Sequence, residues 1–338
     1  MQKTWLRAIG AAIGILLLII DSKTAISAAR EAMELCVQSV IPSLFPFLIL
    51  APLLTYALTS LKGNRSRFWG RLLRIPAGME GIFLAGLVSG YPVGAQLITN
   101  AYNNGQLDRH DAHRMLGFCS NCGPAFLFGI AGAKFAEFWV PWALWGIHIL
   151  SAVLVAVFLP GGCNKESSSV TGQSVAFTQA VKAAITAMGY ICAWVVLFRI
   201  ILAFLDRWLL WLFPTELRVF IYGLLELANG CCALEMIPSA GLRFLVASTM
   251  LGFGGICVLM QTVSVTGGLG SGQYLIGKML QVVFSLMLSF SLQFVLFPDE
   301  SIKISPFLLL IPGLILFLFV LMGLKIKIRG GNPVKSGV

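Results

Sequence analysis

Gly86-Leu-Val-Ser-Gly-Tyr-Pro-Val-Gly-Ala-Gln-Leu97 sits inside an apolar run that extends from 79 to 101. The run has the length of a membrane span, about 20 residues. Pro92 and the glycines at 86, 90 and 94 interrupt it. Proline removes a backbone N–H and frees the carbonyl four residues back. In hydrocarbon, such broken backbone persists only where protein or a watery cavity satisfies it. The stretch therefore predicts a hairpin tip or helix break aimed at a solute. Ser89, Gly90, Tyr91, Pro92, Gly94 and Gln96 are its candidate binding residues. A kinked spanning helix, with Gly90 and Gly94 packed against a neighbour, is the other reading of the same residues.

The chain around it is a membrane protein by composition. Its 338 residues are 58% hydrophobic and 11% charged, with a mean hydropathy of +0.88. A soluble domain carries roughly 25% charged residues. The predicted fold class is an all-α polytopic membrane protein. Apolar segments run over 8–20, 35–60, 79–101, 115–132, 139–159, 180–204, 219–237, 244–266, 273–297 and 305–325. The first, short and basic-flanked, reads as a retained helix, because Ser27-Ala28-Ala29 imitates a cleavage site poorly. The net charge of +10 does not indicate nucleic acid, since Lys and Arg cluster between apolar segments, as they do in cytoplasmic loops. Placing both termini inside, with 62–74, Arg109, Arg114, Lys165, Lys182, Lys278 and the tail, puts about two thirds of the basic residues there. Eight and ten crossings satisfy this rule equally.

The polar stretch from Gly161 to Ser174 divides the chain. The two sides align with Gly90 on Gly230, and with Leu116-Gly-Phe118-Cys-Ser-Asn-Cys122 on Leu251-Gly-Phe253-Gly-Gly-Ile-Cys257. An internal duplication follows: 1–34 as an N-terminal helix and linker, 35–160 as the first repeat and 161–178 as a linker. The second repeat is 179–298, and 299–338 form a C-terminal helix and basic tail. If 79–101 and 219–237 are re-entrant hairpins, each copy crosses three times and the repeats are inverted. Such halves with Gly/Pro-interrupted segments are the best sequence pointer to a secondary transporter's site.

Three further motifs add candidates. Ser120, Asn121 and Gly123 lie in Cys119-Ser-Asn-Cys-Gly-Pro124, an unwound stretch or a surface turn. Glu226, Asn229 and Gly230 form Glu-Leu-Ala-Asn-Gly. An intramembrane acid is a functional candidate by default, and Glu226 is the coupling candidate. On a helix it would share a face with Asn229, and a structural hydrogen bond is its alternative role. Gln261 and Thr262 follow the second Leu-Gly-Phe, although hydroxyls there also bond back to their own helix. Cys119 and Cys122 have metal-pair spacing without a second pair, so no metal or cofactor is expected. No catalytic constellation appears, His148 reads as a packed core residue, and a binding or transport protein is expected rather than an enzyme. Its expected partners are a small-molecule solute and the lipid bilayer, and a homo-oligomer is compatible with the sequence.

Ser43-Leu-Phe-Pro-Phe47, Ser89 to Ala95, Phe118 to Phe126 and Gly223 to Gly230 together resemble the YlbJ-type sporulation integral membrane proteins. These lie within the nucleoside-recognition or Gate-domain group. The resemblance covers about residues 30 to 300. It implies a transporter-like fold with inverted repeats, located in the bacterial inner membrane or the membranes around the forespore. It also implies a small organic anion, dipicolinate, as solute. A nucleoside or other solute permease of the Gate group, and a non-transporting scaffold for spore-envelope assembly, are the alternatives.

Overall fold

A computed structural model of the chain describes residues 2–60, 70, 72–76, 78–160 and 176–298. The basic run at 62–69, most of the polar linker and the 305–325 segment with its basic tail lie outside the described residues. The helices are α1 (Gln2–Ile20), α2 (Ser22–Leu35), α3 (Ile41–Ser60), α4 (Glu80–Ser89), α5 (Val93–Asn103), α6 (Arg109–Leu116) and α7 (Val140–Phe158). They continue as α8 (Phe177–Trp208), α9 (Thr215–Leu225), α10 (Leu227–Cys232), α11 (Ala240–Phe253), α12 (Gly255–Thr266) and α13 (Gly272–Leu296). All described secondary structure is helical. Among the described residues, five stretches are long and apolar enough to cross a bilayer: Ser22–Leu54, Val140–Phe158, Phe177–Trp208, Ala240–Leu269 and Gly272–Leu296. The protein is an integral membrane protein. Its outer surface carries exposed Ile185, Leu197, Met287 and Val295, while Lys278, Gln281, Ser285 and Asn121 are fully buried. That inversion of the soluble pattern is what a lipid solvent requires.

The deciding segment does not cross. A continuous helix would hold Gly86 and Gly94 about 12 Å apart. Instead, a Cβ on Gly86 would stand 3.4 Å from the Gly94 Cα, so α4 and α5 fold back on one another. Gly90 turns the tip with φ of 83°, a region open to glycine, and the Tyr91–Pro92 bond is cis. The segment 219–237 does the same. A Cβ on Gly230 would overlap the Gly223 Cα, folding α10 back on α9.

Contacts at the two ends of the bundle give the chain its path. At one end, the Arg114 guanidinium donates to the carbonyls of Leu73 and Arg74 at 2.9 Å and Ala156 at 2.5 Å. Gly117 packs there against Leu159 and Gln273. At the other end, Lys134 pairs with Glu235 at 3.1 Å and its carbonyl accepts from Arg243 at 2.7 Å. Arg218 pairs with Asp206 at 3.1 Å, Arg207 with Asp21 at 3.2 Å, and the Trp139 and Phe297 rings lie 5.5 Å apart. The first hairpin therefore opens at the Arg114 end and the second at the Lys134 end. Between them the chain alternates: 117–134 runs from the first end to the second, α7 returns, α8 goes forward, α11 and α12 return, and α13 goes forward. The two halves trace the same path in opposite directions.

Several expectations need correction. The boundary at 34 falls inside continuous helix, because α2 runs through a π-helical turn at Cys36–Val40 into α3. The linker ends before 178, since α8 starts at Phe177. The unwound stretch expected at Cys119–Pro124 is present: Gly117 to Gly123 is non-helical, followed by a short helix at Pro124–Phe126 and a π-helical turn at Leu127–Ala131. The segment 244–266 is interrupted as expected, at Gly254 and Gly255, with φ of 85° and 89°. Lys278 and Arg114 are not loop charges: they are 0% and 4% exposed. Arg114 is held by the carbonyl ends of its neighbours, the part of a helix that attracts a cation.

Candidate functional site

The two hairpin tips and two helix breaks meet in mid-bundle. The first break lies across the first hairpin: a Cβ on Gly86 or Gly94 would overlap the Cys119 carbonyl oxygen, and one on Gly123 would stand 2.9 Å from the Gly90 nitrogen. The second break meets the second hairpin in the same way, with Gly255 against the Gly223 carbonyl. Glycine at these positions lets backbone approach backbone where no side chain fits.

A cavity of about 40 Å³ lies between these elements. Tyr91 and Gly123 from the first half and Glu226 and Gln261 from the second line it, with Ile191 and Val195 of α8. It has room for roughly three waters, so a larger solute requires a tip to move. Along α8 toward the Arg114 end, two roomier cavities follow. One of about 350 Å³ is lined by Gln96, Lys182, Tyr190 and Ser264. The other, of about 180 Å³, shares Gln96 and reaches Asn100 and Gln179. Gln96 thus lines both of these cavities and stands apart from the central one.

Glu226 is the junction of α9 and α10. Its backbone is extended, with φ −144° and ψ 116°, so it does not share a helical face with Asn229. The two meet through capping. The Glu226 carboxylate accepts from the Ala228 N–H at 3.1 Å, the Asn229 N–H at 2.6 Å and the Asn229 side-chain amide at 2.6 Å. These bonds satisfy N–H groups that a helix start in lipid would leave bare. Gly230 serves the hairpin contact described above.

A buried polar chain adjoins the cavity. Tyr91 donates its hydroxyl to the Leu251 carbonyl at 3.3 Å and accepts from Lys278 Nζ at 3.1 Å. Lys278 also donates to Gln281 Oε1 at 2.6 Å. The Gln281 amide donates to Asn121 Oδ1 at 3.1 Å, and the Asn121 amide to the Phe118 carbonyl at 2.7 Å. His148 Nε2 accepts from the Cys122 N–H at 3.0 Å, so this histidine fixes the first break rather than only filling the core. Ser89 and Ser120 are buried, the latter with no hydrogen-bond partner for its hydroxyl among the described residues. Thr262 is buried beside the Tyr274 hydroxyl, one turn of α12 from the cavity. Pro92 stands at the start of α5.

Sequence reasoning missed Lys278, Gln281, His148 and Ser285. Lys278 passed for a loop charge because it lies near the start of its segment. The available signal was a stripe: Lys278, Gln281, Ser285, Ser289 and Gln293 recur at spacings of three and four on an otherwise apolar helix. That spacing marks one helical face, and all five are 0–1% exposed.

Fold and site together define a polytopic membrane protein with a polar centre assembled from broken helices of both halves. Among curated proteins, the chain is similar to "Sporulation integral membrane protein YlbJ" of Bacillus subtilis (strain 168), 32% identical over 113 residues. That match takes in 32% of this chain and spans 28% of the relative's length. No family model matches the chain, and no solved structure matches it.

Proposed function

We propose that the protein is a sporulation-associated membrane transporter of a small organic anion, with dipicolinate as its solute. It binds and moves this solute and does not convert it. The observation that carries the reading is the meeting of two oppositely entering hairpins and two broken helices at one central cavity. This is the arrangement by which inverted-repeat transporters hold a solute near mid-membrane. The similarity to a sporulation membrane protein supports the cellular setting. The orientation we propose with it puts both termini and the Arg114 end in the cytoplasm; what supports it is the sequence-wide excess of Lys and Arg in the segments assigned to that side, the 62–74 run and the basic tail included.

Disruption of the gene in a sporulating host tests the setting and the solute together. The expected outcome is spores with little dipicolinate, restored by the wild-type gene. Spores of normal dipicolinate content would overturn the proposal.

A further inference from the structure

Lys278 is fully buried in the centre of the bundle, yet no Asp or Glu faces it among the described residues. α11, which packs along the same helix, carries no acid, and Asp111 of α6 lies against His110 at 3.7 Å. The groups that reach Lys278 are Tyr91 from the first hairpin tip, Cys119 and Cys122 from the first break, His148 from α7, and Tyr274 and Gln281 from its own helix. None is a carboxylate. The ammonium lies 4.8 Å from the Tyr91 ring centroid and 5.7 Å from that of Tyr274. It has two oxygen acceptors, a phenol and an amide, and aromatic faces that favour a cation. The site solvates a positive charge and leaves it without a counter-charge.

Tyr91 connects this charge to the solute cavity. Its side chain lines the cavity while its hydroxyl accepts from Lys278. Gly254 leaves room for the ring: a Cβ there would stand 3.1 Å from it. We propose that Lys278 is the charge-recognising residue of a mid-membrane site for a carboxylate-bearing anion, closed in this structure by Tyr91. The inference deepens the transport reading and rests on it for the place where solute arrives. A carboxylate replaces the Tyr91 hydroxyl on Lys278, and the freed ring moves off the cavity. Gln281 Oε1 stays on Lys278 and orients the ammonium, while the amides of Gln281 and Asn121 remain committed to Asn121 Oδ1 and the Phe118 carbonyl. Glu226 lines the far wall with its oxygens committed to α10. Its like charge directs the anionic end of the solute toward Lys278.

Direct binding to detergent-purified protein tests this with three probes: dipicolinate, benzoate and the uncharged pyridine-2,6-dicarboxamide. Wild type is expected to bind both carboxylates more tightly than the diamide. Lys278→Met should weaken dipicolinate at least about tenfold, a loss typical of removing one partner of a buried charge pair. It should leave the diamide unchanged and the protein folded, with a modest fall in melting temperature because Gln281 Oε1 loses its donor. Lys278→Arg, which keeps the positive charge, should bind dipicolinate more tightly than Lys278→Met does. Unchanged dipicolinate affinity in Lys278→Met, or wild type that binds neither carboxylate, would overturn the assignment. Binding that depends on Lys278 without uptake into liposomes would remove the transport reading and leave the site. Uptake with unaltered affinity in Lys278→Met would do the reverse.

Discussion

Glu226 joins two functions in one side chain. It lines the central cavity and caps the helix that forms the second hairpin tip. A proton on this carboxyl would turn one acceptor into a donor facing an N–H, and so loosen the tip. This is a direct physical route from proton binding to movement at the site. In Glu226→Gln the amide retains one acceptor and presents an NH₂ to the other contact. An unmatched buried polar group costs about 1–3 kcal/mol, so melting of the purified variant should fall measurably. Its uptake should no longer respond to a pH gradient. A wild-type pH response would remove Glu226 from coupling, and Glu226→Leu should lower expression because every capping bond is lost. Tyr91→Phe loses the hydroxyl that bonds Leu251 and Lys278. It should cost about 1 kcal/mol of stability, read as a modest drop in melting temperature. At this scale the sequence was partly legible. Glu226 and Asn229 stood out as polar groups in apolar surroundings, but their contact depends on an extended residue at 226 that helical spacing does not suggest. Lys278 was hidden because a charge near a segment's start is ordinarily a loop charge.

The hairpins are where elements decide the fold. Proline and clustered glycines made the break at 90–92 readable, since only those residues interrupt a helix so plainly. The direction of each hairpin was not readable. Basic residues gave equal support to eight and ten crossings, and the answer came from end contacts such as Arg114 with Leu73 and Lys134 with Glu235. Cysteines placed at Arg74 and Asn104, both exposed flanks of the first hairpin, should label from one side of the membrane. Cysteines at Leu212 and Met236, exposed flanks of the second, should label from the opposite side. Labelling of Arg74→Cys and Asn104→Cys from different sides would restore a spanning segment. Gly94→Ala tests the crossing of the first break over the first hairpin. Its methyl meets a backbone carbonyl with no flexible end to yield. Overpacking of this kind costs about 1–3 kcal/mol or more, so a sharp loss of folded protein in detergent is expected. Near-normal recovery would show that Cys119 does not rest there.

Across the whole molecule, the proposed transport would take the closed central cavity as one stage of a cycle, with two larger cavities lying along α8 toward the Arg114 end. The larger cavities reach the Arg114 end, while the hairpin entering from the Lys134 end meets the site from the other side. Alternating access would close the first route and open one beside the second hairpin. The duplication read from Gly90 against Gly230 and from Leu116-Gly-Phe118 against Leu251-Gly-Phe253 would make such an exchange possible, because each half supplies one tip and one break. What the sequence could not convey was that both tips reach the same cavity, since this depends on contacts between residues more than 130 positions apart, such as Gln281 with Asn121. Counterflow in liposomes measures the claim most directly. Vesicles loaded with unlabelled dipicolinate and containing the purified protein should accumulate labelled dipicolinate transiently, and protein-free vesicles should not. Lys278→Met should lose this exchange. No accumulation above protein-free vesicles, with protein shown to be folded and inserted, would contradict the account.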